Sequence, residues 1–437
     1  MEKMEKYTSY QNSGIDWLQN IPSHWEVKTV KALLQERKEM NYPVKTKNIL
    51  SLCMYRGVIP YSEKGNSGNR AKDDITAYKL AYPNDIVLNS MNVIAGSVGL
   101  SKYFGVVSPV YYMLRKRNEN DSIEFLNYVF RTETFQKSLI GLGNGILVKK
   151  SESTGKLNTI RLRISMNKLN SVNLPYPPQD EQIKIAEYLD NKTSQLDGAI
   201  SQKEKLIDLL KEQKQITIND AVTKGLDKNV ELQNANLKNF GYIPKHWKIM
   251  FNRRLFREEN RKKFNKTELP LSLSQVDGVI PSGEMKERSL SPSHRDNFKL
   301  CLPNDLVVNR FKGHLGVFFK SDFRGIVTFH YGVFKPSKFV NTKYYEYLFH
   351  TQYYKNIYAG ASNGMTIGLQ NLSNQNFYDV KSIVPPIDEQ NKIVGFIEQE
   401  EIRINKVIQL QLDVIAKLKE YKASLTDSVV TGKVRVS

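Results

Sequence analysis

The sequence predicts a mixed α/β (α+β) protein in which two copies of one domain are separated by two long antiparallel coiled-coil helices, with a pseudo-twofold internal repeat. Three observations predict this fold: the 437-residue chain repeats its own motifs, each copy ends in a long helical segment, and the strong positive charge lies outside those segments. The expected limits are 1–178 and 227–386 for the two mixed domains, and 179–226 and 387–437 for the helices.

The internal repeat keeps its order along the chain. Residues 21–25 (Ile-Pro-Ser-His-Trp) return 222 positions later as residues 243–247 (Ile-Pro-Lys-His-Trp). Residues 177–182 (Pro-Pro-Gln-Asp-Glu-Gln) return only 208 positions later, as residues 385–390. The second copy has therefore lost residues relative to the first, and a repeat over the whole chain fixes the architecture before any local motif does.

The segment before each Pro-Pro pair has the pattern of short strands and loops. Apolar runs at 85–88, 106–113 and 326–334 lie between clusters of Gly, Pro, Asn and Ser, as is typical of strands joined by turns. Helical patterns at 123–140 and 344–358 interrupt these runs. Each of these segments is therefore predicted to be a mixed domain.

Each Pro-Pro pair is followed by a helical pattern, with an N-cap predicted at Asp180 or Asp388. Apolar residues then recur at spacings of 4, 7, 4, 7 and 3 in both copies, in a narrow seam flanked by charges. A 46-residue helix would be about 69 Å long, too long for one small domain to bury, so the two helices are expected to pair with each other, antiparallel. The predicted helix-pairing residues are Ile185, Leu189, Leu196, Ile200, Ile207, Leu210, Ile393, Ile397, Ile404, Ile408, Ile415 and Leu418.

The net charge of +19 belongs to the two mixed domains. The helical segments 180–225 and 388–433 carry net charges of only −2 and −1. Such an excess attracts polyanions by phosphate neutralisation, although a solvated lysine-rich surface would give the same count. An anionic membrane is a weaker alternative, because no basic amphipathic helix with an aromatic face is present. Two similar domains related by a pseudo-twofold axis match the local symmetry of duplex DNA and are predicted to read a split site with two unlike half-sites.

Several other classes of protein are disfavoured by the sequence. Cys53 and Cys301 are the only cysteines, which argues against a disulfide scaffold or a cysteine-rich zinc site. The chain shows neither a signal-peptide pattern nor an apolar run of membrane-spanning length, so a cytoplasmic location is expected.

The sequence contains no complete enzyme signature, so no catalytic or metal-binding residue is predicted. A DNA adenine methyltransferase needs Asn or Asp before Pro-Pro, whereas Tyr176 and Val384 occupy those positions. The nuclease-like Glu-x-Lys at 284–286 has no counterpart in the first copy. His24 and His246 are interpreted as wall residues of a core or a domain junction.

The Ile-Pro-x-His-Trp and Pro-Pro-x-Asp-Glu-Gln motifs, each present twice and in order, resemble those of the specificity subunits of Type I restriction-modification enzymes. The resemblance implies that the mixed domains are target recognition domains, each reading half of a bipartite site in double-stranded DNA, and that the helices dock two modification subunits. It also implies that S-adenosylmethionine and methyl transfer belong to those partners, and cleavage to restriction subunits. The family often has Gly where this chain has Asn84 and Asn304.

Candidate DNA contacts are polar and basic residues of loops, where donors can reach base edges and phosphates. Asn89 and Asn309 are kept between the copies and are favoured as scaffold, whereas Ser90 becomes Arg310, which is favoured for base choice. The candidates are Arg56, Lys64, Arg70, Asn89, Ser90, Asn92, Asn144, Lys149, Lys150, Arg288, Arg295, Arg310, Lys312, His314 and Asn363. Two alternatives to a specificity subunit stay open: a standalone DNA methyltransferase or nuclease, and a helical scaffold with incidental basic charge.

Overall fold

The chain forms two compact units in a computed structural model that describes residues 5–53, 56–65, 71–72, 74–146, 161–262, 267–285, 297–362 and 371–436. The first unit comprises residues 1–203 and 412–437, and the second comprises residues 204–411. Among the described residues, no helix combines the length and the apolar character needed to cross a membrane.

The first unit is built on a four-stranded antiparallel sheet of order β4-β11-β8-β9. A separate ladder pairs β3 with β14 and so brings the two ends of the mixed domain together immediately before α5. Its strands are β1 Tyr10–Asn12, β2 Asn20–Pro22, β3 Glu26–Thr29, β4 Leu34–Arg37, β5 Leu50–Cys53, β6 Gly57–Pro60, β7 Lys79–Ala81, β8 Ile86–Asn89, β9 Val98–Leu100, β10 Gly105–Val107, β11 Tyr111–Lys116, β12 Asn144–Ile146, β13 Arg161–Arg163 and β14 Asn173–Tyr176. Its helices are α1 Val30–Leu33, α2 Ile123–Arg131, α3 Glu133–Ser138, α4 Met166–Asn170 and the first part of α5 Gln179–Lys224.

The second unit repeats this arrangement. Its four-stranded sheet has the order β18-β25-β22-β23, and β17 pairs with β26 as β3 does with β14. Its strands are β15 Leu232–Asn234, β16 Tyr242–Pro244, β17 Lys248–Phe251, β18 Phe256–Glu258, β19 Leu271–Ser274, β20 Gly278–Pro281, β21 Lys299–Cys301, β22 Leu306–Asn309, β23 Phe318–Lys320, β24 Gly325–Val327, β25 Tyr331–Pro336 and β26 Lys381–Val384. Its helices are α6 Asn252–Leu255, α7 Thr342–Phe349, α8 Gln352–Ala361, α9 Asn374–Asp379 and the first part of α10 Ile387–Val430.

The strand registers confirm that the two units are copies of one fold. Met113 faces Val87 across β11 and β8, and Val333 faces Val307 across β25 and β22, so both members of the pair are displaced by 220 residues. The predicted mixed fold with an internal repeat is confirmed. The apolar runs at 106–113 and 326–334 are each two strands, because a turn interrupts them.

The two long helices are antiparallel within each unit. In the first unit, Ile185 and Leu189 of α5 share a core with Leu425 and Val429 near the end of α10. In the second unit, the order is reversed, because Ala221 and Val222 at the end of α5 share a core with Ile393 at the start of α10. Charged pairs join the helices farther along, and the closest distances are 2.6 Å between Lys422 Nζ and Asp197 Oδ2 and 3.8 Å between Lys214 Nζ and Glu401 Oε1.

The predicted N-caps are wrong by two residues. The helices begin at Gln179 and Ile387, so Asp180 and Asp388 lie inside the first turn. The reason is that the carbonyl oxygens of Pro178 and Pro386 already accept the first helical hydrogen bonds, from Glu181 N at 2.9 Å and Glu389 N at 3.0 Å. The two aspartates still favour the helices, because negative charge in the first turn complements the helix dipole.

Candidate nucleic-acid interface

The two motifs that mark the repeat meet in space. In the first unit, Glu181 Oε2 lies 2.8 Å from His24 Nε2 and accepts a hydrogen bond from Trp25 Nε1 at 3.1 Å. The second unit repeats the contact at Glu389, with 2.8 Å to His246 Nε2 and 3.0 Å to Trp247 Nε1. We call this three-residue contact the helix latch. It fastens the start of each mixed domain to the start of a long helix, as expected for histidines at a domain junction.

The glutamine that follows each latch glutamate completes the attachment. Gln182 is buried, accepts from Ser122 N at 3.0 Å and donates to the Pro177 carbonyl at 2.9 Å. Gln390 is also buried and accepts from Asn341 N at 2.8 Å. Ser122 and Asn341 are the N-cap residues of α2 and α7. The motifs therefore join helix, strand and domain core and are structural in both units.

A partly buried ion pair anchors the strand that leads to the candidate loops. Asp85 pairs with Arg37 at 2.9 Å in the first unit, and Asp305 pairs with Arg261 at 2.5 Å in the second. The preceding Asn84 has a φ of 68°, and Asn304 has a φ of 70°. Asn is among the few non-glycine residues that tolerate this left-handed conformation, so it can stand at a position that otherwise favours Gly.

The kept asparagines at the strand ends hold the backbone of the loops that follow them. Asn89 Oδ1 accepts from Met91 N at 3.0 Å, and Asn309 Oδ1 accepts from Phe311 N at 3.1 Å. Each side chain fixes the backbone two residues ahead. This placement favours the scaffold interpretation of both residues.

The changed pair, Ser90 and Arg310, points inward. Ser90 is 1% exposed, and its hydroxyl donates to the Val110 carbonyl at 2.9 Å. Arg310 Nη2 lies 2.6 Å from Glu258 Oε1 and donates to Asn374 Oδ1 at 2.7 Å. These contacts brace the loop, and a base contact by Arg310 would require its release from Glu258. That Arg310 sets base choice stays a prediction.

A largely buried lysine donates to the first carbonyl of the neighbouring strand in both units. Lys79 Nζ donates to the Tyr111 carbonyl at 2.9 Å, and Lys299 Nζ donates to the Tyr331 carbonyl at 3.1 Å. Burial lowers the pKa of both lysines, while Glu36 and Glu258 oppose the shift. These two positive charges are compensated inside the protein, so they contribute little to the field that reaches solvent.

The other candidates are placed at the surface or lie outside the described residues. Asn92 is partly exposed at the start of a 3-10 turn, and Lys312 is exposed. His314 is partly exposed, but its Nδ1 atom is buried without a hydrogen-bond partner. Arg56 is exposed and pairs with Glu63 at 3.3 Å, and Lys64 Nζ lies 5.1 Å from the centre of the Tyr61 ring. Asn144 lies in β12 but its side chain is not described, and the remaining candidates, outside the described residues, are Arg70, Lys149, Lys150, Arg288, Arg295 and Asn363.

The predicted helix-pairing residues all avoid full exposure. Those nearest the helix starts pack into the domain cores as well as against the other helix, and these are Ile185, Leu189, Ile393 and Ile397. The buried residues farther along are Ile200, Ile207, Ile404 and Ile415. The half-buried ones are Leu196, Leu210, Ile408 and Leu418.

Sequence reasoning missed a second set of apolar residues on the long helices. They lie off the seam and face solvent, with Leu209 61% exposed and Ile402 71% exposed. The signal was present in the sequence as apolar residues at positions the seam does not use. The exposed residues include Leu206, Leu209, Ile216, Ile402, Val407, Leu410 and Leu412.

The described residues contain no cluster of three or more His, Cys, Asp or Glu side chains that could hold a metal ion. Cys301 is buried, and burial raises the pKa of its thiol to about 12, which keeps it protonated and unreactive.

No protein-family model matches the chain. Solved structures with the same fold do match over nearly the full length. One is a chain from a structure of a type I R-M system that addresses complex assembly and conformational transition; it is 11% identical, with 94% of this chain and 98% of that chain covered at a TM-score of 0.64. Another is the HsdS subunit from Thermoanaerobacter tengcongensis, 12% identical, with 95% and 98% covered at a TM-score of 0.52. The resemblance seen in the sequence is confirmed at the level of the fold.

Proposed function

We propose that this chain is the non-catalytic specificity subunit of a Type I restriction-modification complex. It binds a bipartite, asymmetric site in double-stranded DNA, with one half-site read by each mixed domain, and docks two modification subunits through its helices. Those partners bind S-adenosylmethionine and transfer the methyl group, and restriction subunits cleave, in the cytoplasm. The observation that carries the proposal is one domain fold present twice, latched in the same way to two shared helices, in a chain that matches a solved HsdS subunit end to end.

The charge distribution supports DNA as the ligand. Residues 1–178 carry a net charge of +10 and residues 227–386 carry +11, whereas the helical segments are nearly neutral. Both domains therefore attract phosphates, and neither depends on the other for this attraction.

The off-seam apolar residues support the helices as the docking surface for partner subunits. Side chains such as Leu209 and Ile402 remain in water although the seam beside them is buried. Exposed apolar groups in this number typically mark protein interfaces. The long helices therefore have one face for each other and another available for partners.

The experiment is a methylation assay with the purified chain, with the modification subunits, and with both together. Labelled S-adenosylmethionine supplies the methyl group, and sequencing identifies the modified bases. We expect no transfer by the chain alone and transfer confined to one bipartite motif when both are present. Methyl transfer or cleavage by the chain alone would instead identify a standalone enzyme.

A variant tests the docking surface within the same assay. Leu209→Asp together with Ile402→Asp should leave the fold intact, because both side chains are exposed, yet abolish methylation by preventing assembly. Gel filtration with light scattering measures the assembly directly. A double variant that still assembles would remove the helices from the proposed interface.

A further inference from the structure

An aromatic cluster stands exposed on the second unit, at the end of β22 and in the turn before β25. Phe311 is 43% exposed and Phe329 is 48% exposed. The His330 ring lies between them, with centroid distances of 5.4 Å to Phe311 and 3.8 Å to Phe329. We call these three residues the aromatic platform. None of them was singled out from the sequence.

The backbone that carries the platform is held firmly. Asn309 caps the turn by accepting from Phe311 N, and the Arg310 carbonyl accepts from Leu372 N at 3.0 Å. The turn before β25 is closed by Tyr331 N donating to the Thr328 carbonyl at 3.0 Å. Because these bonds fix the loops before any ligand arrives, binding to the platform costs little ordering entropy.

The first unit exposes apolar side chains at the same places. Met91 and Val110, 220 residues before Phe311 and His330, are 39% and 41% exposed. Met91 is held by Asn89 as Phe311 is held by Asn309. Residues needed for folding would be buried in both copies. Apolar side chains that stay exposed in both copies but differ in identity are expected of surfaces that read different ligands.

The surroundings of the platform select the class of ligand. Lys312, directly after Phe311, is exposed, and the domain carries a net charge of +11. An apolar surface inside a positive field suits a polyanion that also presents apolar groups. Duplex DNA meets both conditions, because thymine methyl groups and base edges lie in a groove between two phosphate backbones.

We propose that Phe311, Phe329 and His330 contact base edges and thymine methyl groups in the half-site read by the second unit. Met91 and Val110 make the equivalent contact in the first unit. The inference rests on the proposed function and adds to it the residues and the chemistry that distinguish the two half-sites. The platform supplies direct, apolar readout, whereas Lys312 and the other basic residues supply attraction to phosphates.

The experiment measures the binding of the full chain, assembled with its modification subunits, to a duplex that contains the recognised site. Phe311→Ala with Phe329→Ala should weaken binding about tenfold, as expected for the loss of a specific base contact. The dependence of affinity on salt should not change, because no phosphate contact is lost. Lys312→Ala should instead change the salt dependence, because a phosphate contact is lost. The slope of log affinity against log salt concentration should be smaller by about one.

A matched control is Phe339→Ala, which removes an equally exposed phenylalanine, 49% accessible, from another loop of the same unit. It should bind as the wild type does. Base changes in the half-site read by the second unit should no longer alter the affinity of the platform variant but should still alter that of Met91→Ala. Base changes in the half-site read by the first unit should show the reverse. Replacing a contacted thymine by uracil should weaken the wild type but not the platform variant.

The possible failures are distinguishable. A platform variant with wild-type affinity and discrimination overturns the inference, while the wild type's preference for a bipartite site leaves the proposed function standing. A wild type without any site preference overturns both. A variant that discriminates normally but fails to assemble with modification subunits shows that the platform is a protein interface, which also overturns the inference.

Discussion

One carboxylate fastens each mixed domain to a long helix. Glu181 and Glu389 each accept from a histidine and from a tryptophan indole, and Trp25 and Trp247 are almost fully buried. A buried indole N–H without an acceptor costs its full desolvation, about 1 to 3 kcal/mol. The latch therefore contributes more through the penalty for breaking it than through the strength of either hydrogen bond.

Glu181→Ala should lower the free energy of unfolding by about 1 to 3 kcal/mol, because Trp25 Nε1 and the Tyr7 hydroxyl both lose their acceptor. Chemical denaturation followed by tryptophan fluorescence measures the change. Glu187→Ala, at an exposed position six residues along the same helix, is the control and should change stability by less than about 0.5 kcal/mol. Equal effects for the two variants would contradict the latch.

His350 gives the second unit a dependence on pH. Burial lowers the pKa of its imidazole to about 4, and the charges of Lys355 and Lys343 act in the same direction. The unfolded chain takes up a proton near pH 6.5 that the folded chain refuses until about pH 4. Stability is therefore complete above pH 6.5 and falls as the pH drops to 4, by about 3 kcal/mol in all.

His350→Phe should abolish this part of the pH dependence, because the new ring packs beside Phe319 without titrating. Denaturation midpoints of both proteins at pH 7.5 and at pH 5 provide the comparison. The denaturation midpoint of the variant should rise relative to that of the wild type as the pH falls. Parallel curves across this range would show that the imidazole is not what titrates.

At the residue level, the sequence indicated the roles of some residues, but it did not indicate which side chains they contact. The comparison of the copies favoured Asn89 and Asn309 as scaffold residues, and each side chain accepts a hydrogen bond from the backbone two residues ahead. The inward turn of Arg310 could not be predicted, because it depends on Glu258 and Asn374, which lie 52 and 64 residues away along the chain. Exposure of Phe311 likewise depends on packing between distant segments.

The ends of the long helices are set by glycines in a left-handed conformation. Gly225 follows α5 with a φ of 78°, and Gly432 follows α10 with a φ of 74°. A Cβ atom on Gly225 would lie 2.9 Å from Glu389 Oε1 and 3.3 Å from the Trp247 ring. The end of α5 is thus pressed against the latch of the second unit, where no side chain fits.

Gly225→Ala should destabilise the second unit by about 1 to 3 kcal/mol, from backbone strain and from crowding of the latch. Gly395→Ala is the control: this glycine lies inside α10 with open space around the added methyl group, so it should stabilise by about 0.5 to 1 kcal/mol. Thermal unfolding of both variants measures the two changes in stability, which should have opposite signs. Stabilisation by both would mean that the end of α5 can move away from the latch.

At the level of elements, the helices were the most predictable part of the chain. Their seam repeats over twelve positions, so the sequence alone indicated two helices and their pairing. The strands were less so, since each is only three to six residues long. The sequence pattern at 123–140 indicated one helix, but Thr132 ends α2 and caps α3 in an extended conformation. A local side-chain hydrogen bond of this kind competes with helix continuation and leaves no periodic signal.

Across the whole molecule, the even division of positive charge predicts a steep dependence of DNA binding on salt. Affinity of the assembled complex should fall on the order of a thousandfold or more between about 50 and 200 mM salt, if six or more phosphates are neutralised. Fluorescence anisotropy with a labelled duplex measures the slope. An affinity that does not respond to salt would exclude phosphate contacts and favour a scaffold whose charge is incidental.

The helix latch has an evolutionary consequence. Each mixed domain begins at Ile-Pro-x-His-Trp and ends at Pro-Pro-x-Asp-Glu-Gln. Both latches share the glutamate, histidine and tryptophan contacts, and in the first unit the Tyr7 hydroxyl also donates to Glu181. The residues between the two motifs can diverge without disturbing the helix latch. Genetic recombination with crossovers inside the short sequences that encode these motifs would replace one mixed domain by another. The new domain would form the same latch contacts with the long helices. Under the proposed function, one such exchange would give the chain a new target sequence, with no further mutation needed to repair the junctions.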